Sequence, residues 1–473
     1  MEPKDRIIFA ADVGSLQELQ GYLAAFLGEI GAIKLGMELL THVLLTGEPV
    51  VKYVLEETPY RIMWDLKYGD IPATVAGAAK EVAKYGQGRI LGFTVHCSAG
   101  KEALKLAVKA VRDNFSEGSD VPMVIAVTVL TSLEQAELDE LGIQGTPKEV
   151  VLRWAKMASD AGVRAIVCSP KETTELLAIN SDFIVINPGI RFAGSDLGTQ
   201  KRVTTPGQAM ANGASYIVIG SDLRKGDPLA NARRAAGEII AAGYRPLSRE
   251  DILAIFGRMK AIYDNDHFVY TKGGHGKAYV NKDDVYVDPD QLSLLCKEIA
   301  FKARDWGVNV VCGPTVGGVL VANRVTEWLR RFTGDNSIVA TFADESLDLD
   351  GRVLKRGYPK KVASKRVLVV EDVLNTGASA AATVKAVQTS GGKVVSCFAL
   401  CNRSADKKAA EELIGVTVDA LLNVNMDNFP AAECPYCQEG KPKKPLNLAG
   451  NHNSTFNPAR SLIANRPVLF LKN

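Results

Sequence analysis

The stretch Asp65-Leu66-Lys67-Tyr68-Gly69-Asp70 sets an acid, a base and a second acid close together in the chain. It follows the apolar run Ile62-Met63-Trp64, which reads as a buried strand. Asp65 and Lys67 share one face of that strand by its period of two, and Asp70 falls just beyond, in the loop. Carboxylates this close need a cation between them, or one must take up a proton. A second lysine, Lys34, ends the earlier apolar segment Gly31-Ala32-Ile33-Lys34. Two lysines and two aspartates at strand ends suit an alternating charge network. Such a network fits reactions in which charge appears or leaves in the transition state. A lone Asp-x-Lys pair would read as a surface ion pair; the whole constellation does not.

A second constellation lies in the other half. Val367-Leu368-Val369-Val370 makes a buried strand that Glu371 and Asp372 end. The loop Thr376-Gly377-Ala378-Ser379 then opens a helix expected over Ala380–Ser390. Acids at a strand end suit ribose hydroxyls, and a small, hydroxylated loop at a helix amino terminus suits a phosphate. Elsewhere, Cys434-Pro435-Tyr436-Cys437 offers half of a zinc site, with His452 and His275 the candidates to complete it. A reduced or disulfide-prone turn is the expectation favoured over zinc.

The elements that must position these residues follow from length and rhythm. A chain of 473 residues is too long for one ordinary core, so two domains are expected. Hydrophobic content of 47%, charged content of 23% and a net charge of +2 describe a soluble globular protein with no case for a nucleic-acid or membrane partner. The amino terminus does not read as a secretory signal, and no apolar run reaches membrane-spanning length. Eight cysteines are scattered, most in apolar runs (Cys97, Cys168, Cys312, Cys397), as buried free thiols of a reducing cytoplasm would be. Short apolar runs begin near Arg6, Gly31, Arg61, Ile90, Val121, Arg164, Asp182 and Ser215. Amphipathic stretches such as Leu16–Gly28, Thr74–Tyr85, Ala103–Asn114 and Pro147–Ala161 separate them. This alternation predicts an α/β class and a (β/α)8 barrel over 1–243, an open doubly wound sheet being the alternative. Asp12, Lys34, Asp65, Lys67 and His96 then fall at carboxyl ends of strands, His96 as a hydrogen-bonded structural residue. Ala241–Ser248 reads as a boundary, with a new helix expected over Arg249–Tyr263. In the domain 249–473, Val308–Cys312, Ile338–Phe342, Arg366–Glu371 and Lys393–Leu400 read as strands of an open α/β sheet. Pro430–Asn453 reads as a polar surface excursion.

With these residues in place, the first half resembles orotidine 5′-phosphate decarboxylase. The likeness is carried by Asp12, Lys34, the run Asp65–Thr74, Thr94-Val95-His96, Val127–Ser132, Pro188-Gly189-Ile190-Arg191 and Gln200-Lys201-Arg202. The resemblance implies that Lys67 protonates C6 of the pyrimidine, that Asp65 faces the departing carboxylate and that Lys34 holds the network and the ribose. It further implies Asp12 on ribose hydroxyls, Thr131 and Ser132 on the base, and Arg191, Gln200 and the Gly220-Ser221 backbone on the 5′-phosphate. Asp70 and Thr74 would reach into a partner subunit's site, so a homodimer or higher homo-oligomer is expected. No cofactor is implied. The family usually places an arginine directly after the last strand; here Ser221-Asp222-Leu223-Arg224 follows, so Arg224 is the expected replacement.

The second half, about 250–473, resembles orotate phosphoribosyltransferase, a type I phosphoribosyltransferase. The likeness rests on His267–His275, including Lys272, on Tyr279-Val280-Asn281-Lys282, on Gly313-Pro314-Thr315-Val316-Gly317-Gly318 and on the Val367–Ser379 motif. It implies that the Gly313–Gly318 loop holds pyrophosphate, that Glu371 and Asp372 bind ribose hydroxyls and that Thr376–Ser379 bind the 5′-phosphate. Lys272 is expected to contact substrate, Lys355 and Arg356 to supply cations to the pyrophosphate, and magnesium to arrive on phosphoribosyl pyrophosphate. Asp344-Glu345 stands where the family tends to carry a lysine. Jointly the halves resemble a bifunctional UMP synthase in inverted order, acting on orotate, phosphoribosyl pyrophosphate and orotidine monophosphate in the cytoplasm. The alternatives are a regulatory second half that binds phosphoribosyl pyrophosphate without turnover, and a barrel acting on a ribulose phosphate.

Overall fold

The computed structural model describes residues 1–85, 88–115, 121–195, 204–263, 266–269, 274–281, 283–346, 351–404, 406–424, 429–440 and 444–445. The chain forms two compact units, Met1–Tyr244 with Arg331–Asp335, and Arg245–Arg330 with Asn336–Asn473.

In the first unit, β1 (Ile7–Ala10), β2 (Ala32–Gly36), β3 (Arg61–Tyr68), β4 (Ile90–His96), β5 (Met123–Val127), β6 (Ala165–Val167), β7 (Ile184–Asn187) and β8 (Tyr216–Ile219) close into a parallel barrel. The eight apolar runs are these strands. Along each, residues alternate between two cores by the period of two. Ile8, Ala32, Met63, Ile125, Ile186 and Val218 fill the barrel interior. Phe9, Ile33, Ile62 and Phe93 point outward to the helices. The helix Leu16–Phe26 is started by Ser15, whose side chain accepts from the Glu18 amide, and it buries Leu19, Leu23 and Phe26. Pro147–Asp160 begins on a Thr146/Glu149 capping box. The inward positions that follow the apolar filling are Asp12 after Ala10, Lys34 after Ala32 and Asp65 after Met63. The same alternation that builds the core therefore delivers the charges to the carboxyl end of the barrel.

Two irregularities between β3 and β4 set the site. Ile62 pairs with Ile90 but Met63 with Gly92, so β4 carries one extra residue, Leu91. Trp64 pairs with Phe93 and Tyr68 with Val95, so Asp65-Leu66-Lys67 stand opposite Thr94 alone. The surplus bends β3 at the point where its side chains are needed.

In the second unit, β9 (Ile262–Tyr263) pairs antiparallel with β12 (Tyr279–Val280). β10 (Phe268–Val269) lies between β11 (His275–Gly276) and β19 (Lys444–Pro445). The main sheet contains β13 (Val310–Pro314), β14 (Val339–Glu345), β15 (Arg352–Val353), β16 (Arg366–Leu374), β17 (Lys393–Asn402) and β18 (Val418–Asn423) in the order β15-β14-β13-β16-β17-β18. Its parallel part runs second, first, third, fourth, fifth, and the strand order reverses beside β13 and β16. A crevice outside the carboxyl ends of strands at such a point is where open α/β sheets bind ligands.

Two expectations need correction. The helix expected over Arg249–Tyr263 ends at Arg258, because Lys260 is left-handed (φ 53°) and the Ala261 carbonyl accepts the Asn281 amide at 2.8 Å, turning the chain into β9. The polar segment Pro430–Asn453 is not merely a surface excursion, since Cys434 within it is fully buried and Lys444–Pro445 adds a strand. The strands β15 and β18 were not legible as apolar runs. Among the described residues, no helix is long and apolar enough to cross a membrane.

Candidate active sites

At the carboxyl end of the barrel the charges alternate in a chain: Asp12, Lys34, Asp65, Lys67. The Lys34 Nζ lies 3.2 Å from Asp12 Oδ1 and 3.4 Å from Asp65 Oδ2. The Lys67 Nζ donates to both Asp65 oxygens at 3.0 Å. Asp65 is the buried centre, its side chain 9% exposed, while Lys34 is 15% and Lys67 28% exposed. Burial works against the charged form of Asp65, but Lys34 and Lys67, with hydrogen bonds from Lys67 and Thr94, outweigh it and hold its carboxyl below the usual range. Within one chain, the second aspartate that joins the network is Asp12. Asp70 lies past the strand, exposed, with its carboxylate accepting the Ile71 amide at 2.6 Å.

Thr94 completes this centre. Its buried hydroxyl accepts the Lys67 backbone amide at 2.8 Å and donates to Asp65 Oδ1 at 3.0 Å. Lys67 itself is left-handed, φ 49°, so the two bonds of one threonine fix both the backbone and the partner of this lysine. His96, next along β4, accepts the Ser98 amide at Nδ1 (3.3 Å), which places its proton on Nε2, and it packs edge-on against Trp154. Burial, and then Lys67, lower its basicity.

The rim of the same face carries two arginines. The Arg224 Nη1 donates to the Asp12 carbonyl at 2.6 Å, and buried Asp222 accepts the Phe192 amide at 2.8 Å, tying the loop after β8 to the loop after β7 beside Arg191. The Nε atoms of both Arg191 and Arg224 are buried without a hydrogen-bond partner among the described residues. Two such donors in one rim suit an anion with several oxygens. Gly220 and Ser221 open the short segment Ser221–Arg224 beside Asp12. Thr131 and Ser132 lie in the loop after β5, which buried Thr128 anchors to the Val167 carbonyl at 2.8 Å. Thr74 is exposed in the first turn of the helix Pro72–Tyr85. Gln200 lies outside the described residues.

In the second unit, Glu371 and Asp372 are buried near the carboxyl end of β16. Burial and the adjacent Asp372 push the Glu371 carboxyl well above its ordinary range. The Tyr286 hydroxyl donates to Asp372. A side chain on Gly317 would collide with both of those groups, so the loop after β13 needs glycine to pass them. Thr376 and Ala378 are exposed where Gly377 (φ 80°) starts the helix Ala378–Thr389, and Ser379 reaches Glu371. The loops after β13 and β16 thus flank the point where strand order reverses.

The expected cations are joined by a third, Arg352. Arg352 is held on the β13 loop: its Nη1 donates to Thr315 Oγ1 and the Ala343 carbonyl at 3.1 Å, and its Nη2 to the Thr315 carbonyl at 3.2 Å. Lys355 and Arg356 are exposed, and Lys355 donates to the Glu345 carbonyl at 3.3 Å. Asp344 and Glu345 pair with Val353 and Arg352 across β14 and β15. Lys272 lies outside the described residues. Sequence reasoning missed Thr94, an ordinary strand residue by type, and Arg352. The bulge that leaves Thr94 facing three residues is a tertiary fact with no local sequence signal.

Comparison with known proteins gives a family match for each unit. Residues 5–235 match the model of the Orotidine 5'-phosphate decarboxylase / HUMPS family, and residues 290–433 match the Phosphoribosyl transferase domain. The chain is 40% identical over 243 residues to the orotidine 5′-phosphate decarboxylase of Moorella thermoacetica, covering 50% of this chain and 94% of that protein. It is 39% identical over 248 residues to the corresponding protein of Heliobacterium modesticaldum, covering 51% and 98%. The solved UMP synthase of Leishmania donovani is 15% identical, with a TM-score of 0.39, covering 89% of this chain and 92% of that one.

Proposed function

The chain belongs to the orotidine 5′-phosphate decarboxylase / HUMPS family, and on that footing we propose that it makes UMP from orotate in two consecutive steps. The second unit transfers phosphoribose from phosphoribosyl pyrophosphate to orotate. The barrel then removes CO2 from the resulting orotidine monophosphate. The observation that carries the reading is the alternating chain Asp12–Lys34–Asp65–Lys67 at the mouth of the barrel.

Loss of CO2 leaves the electron pair of the broken bond on C6, with no ring position to spread it. The Lys67 ammonium stabilises that charge and supplies the proton that quenches it. Asp65 sits where the substrate carboxylate would crowd it, a repulsion that falls as CO2 departs. Lys34 keeps Asp65 ionised and, with Asp12, faces the ribose. Arg191 and Arg224 take the 5′-phosphate, whose binding energy is spent on the reaction at the far end of the substrate. Asp70 and Thr74 serve the site of a partner subunit. The exposed Ile71 (67%) between them, with exposed Leu44 (85%) and Leu45 (82%), supports a homodimer.

In the second unit, Glu371 and Asp372 bind the ribose hydroxyls, the Thr376–Ser379 loop binds the 5′-phosphate and the Gly313–Gly318 loop binds pyrophosphate. Magnesium, which suits carboxylate oxygens beside a phosphorylated ligand, would be held through these acids and supplies charge neutralisation as pyrophosphate leaves. Orotate attacks C1′, so the residues position and neutralise more than they transfer protons. A soluble, cytoplasmic location fits both substrates.

The test is direct. The protein given orotate, phosphoribosyl pyrophosphate and magnesium should release UMP, pyrophosphate and CO2. Orotidine monophosphate alone should give UMP and CO2. Decarboxylation without any use of orotate would reduce the second unit to a binding module, and no decarboxylation would end the proposal for the barrel.

A further inference from the structure

The structure brings together four side chains that neither reaction uses: His267, His275, Cys434 and Cys437, whose ligand atoms all lie within 4.8 Å of one another. We propose that these four residues bind one zinc ion as a closed structural site.

The cluster is assembled from two segments far apart in sequence. His267 precedes β10 and His275 begins β11, and these strands pair antiparallel, with Val269 opposite His275. Cys434 precedes and Cys437 lies within the turn Pro435–Gln438, where the Cys437 amide donates to the Cys434 carbonyl at 3.1 Å. The segments are joined by the Phe429 and His275 backbones, which exchange hydrogen bonds at 2.9 and 2.8 Å. Tyr436 packs on His267, with ring centroids 5.9 Å apart. His267 and Cys434 are fully buried, and His275 is 4% exposed.

The spacing matches the metal. Zinc bonds of about 2.3 Å to sulfur and about 2.05 Å to nitrogen, at tetrahedral angles, put nitrogen about 3.6 Å from sulfur and the two nitrogens about 3.3 Å apart. Here His267 Nε2 lies 3.6 Å from Cys434 Sγ and 3.7 Å from Cys437 Sγ, His275 Nδ1 lies 3.2 Å from Cys437 Sγ, and the two nitrogens are 3.0 Å apart. Two thiolates and two imidazoles form a donor set that selects zinc over hard cations, and four protein ligands leave no open position for catalysis. A disulfide would use the sulfurs and leave the two histidine nitrogens beside them without a role, and the structure contains no Cys434–Cys437 disulfide. The elements tied together are very short: two residues each in β10 and β11 and four in Pro435–Gln438. Segments that small gain their order from a metal staple more than from a core. The site's existence does not depend on which reaction the second unit performs.

The experiment uses the full chain, purified under reducing conditions without chelator. Elemental analysis should find about one zinc per chain, absent from Cys434→Ser and Cys437→Ser variants. Because those variants can unfold locally, the zinc-depleted wild-type chain is also titrated with cobalt(II), which should bind one to one and give the thiolate charge-transfer band and intense visible bands of a tetrahedral sulfur site. Orotidine monophosphate decarboxylation should stay within about twofold in every form, separating local from global damage. Three outcomes overturn the proposal. They are no zinc together with no cobalt–thiolate band, zinc retained in full by both cysteine variants, or a Cys434–Cys437 disulfide in the natively folded chain under these conditions.

Discussion

Thr94 and Asp65 are joined side chain to side chain: the threonine hydroxyl donates to Asp65 Oδ1 at 3.0 Å while it accepts the Lys67 amide at 2.8 Å. One buried hydroxyl therefore orients the acid and the base together. Thr94→Val keeps the shape and removes both bonds. We expect kcat for decarboxylation to fall about 10- to 100-fold, since small misplacements of reacting groups cost that much. The KM should change little, and stability should drop about 1–3 kcal/mol for the stranded partners. Thr94→Ser should restore most of the rate. An unaltered kcat in the valine variant would deny the residue this role.

Asp65 makes the barrel's stability depend on pH in a stated direction. Its carboxyl is held below the ordinary range, so its contribution is present above the unfolded value of about 3.9 and is lost as pH falls through the folded one. Asp65→Asn should cost about 1–3 kcal/mol near neutrality. The gap between the variant and the wild type should close in acid. Denaturant unfolding of both chains across that range measures it, and a gap that widens on acidification would contradict the assignment.

Arg224 stands three residues beyond Ser221, with its Nη1 on the Asp12 carbonyl. If it grips the 5′-phosphate, Arg224→Ala should raise the KM for orotidine monophosphate about 10- to 100-fold, the worth of a charged hydrogen bond. Turnover of the nucleoside orotidine, which lacks the phosphate, should be unchanged. An equal loss on both substrates would place the arginine's role in the fold instead.

Glu371 carries the opposite pH signature to Asp65. Burial and Asp372 hold its carboxyl above the ordinary range. Its stabilising effect is full below the unfolded value of about 4.3 and is lost as pH rises through the folded one. Glu371→Gln should therefore melt higher than wild type in mild alkali and show no such advantage in acid, while binding phosphoribosyl pyrophosphate more weakly. Calorimetric melting and titration with that ligand report the two effects separately.

Much of the barrel site was legible because strand period and strand end are local properties. Lys34, Asp65 and Lys67 could be placed at the carboxyl ends of strands from spacing alone. Asp12 was the less obvious member within one chain: it arrives through the pairing of β1 with β2, where Ala10 pairs with Lys34. Thr94 was hidden because its importance comes from a bulge, and Arg352 because its partner Thr315 is 37 positions away. His267 gives no sign in the sequence of being a ligand, since its distance from the cysteines, 167 positions to Cys434, conceals their meeting. In the second unit the strand-and-loop grammar around Glu371 was readable for the same local reasons as in the first.

The left-handed backbone of Lys67 (φ 49°) bears on how its chemistry can be dissected. Glycine tolerates that conformation better than any other residue, whereas a β-branched side chain does not. Lys67→Gly should thus keep the main-chain path and leave a slot shaped like the missing alkylammonium arm. Primary amines of graded length, supplied in the buffer, should then revive part of the decarboxylation with a clear optimum in chain length. Lys67→Val, with its distorted loop, should respond to none of them.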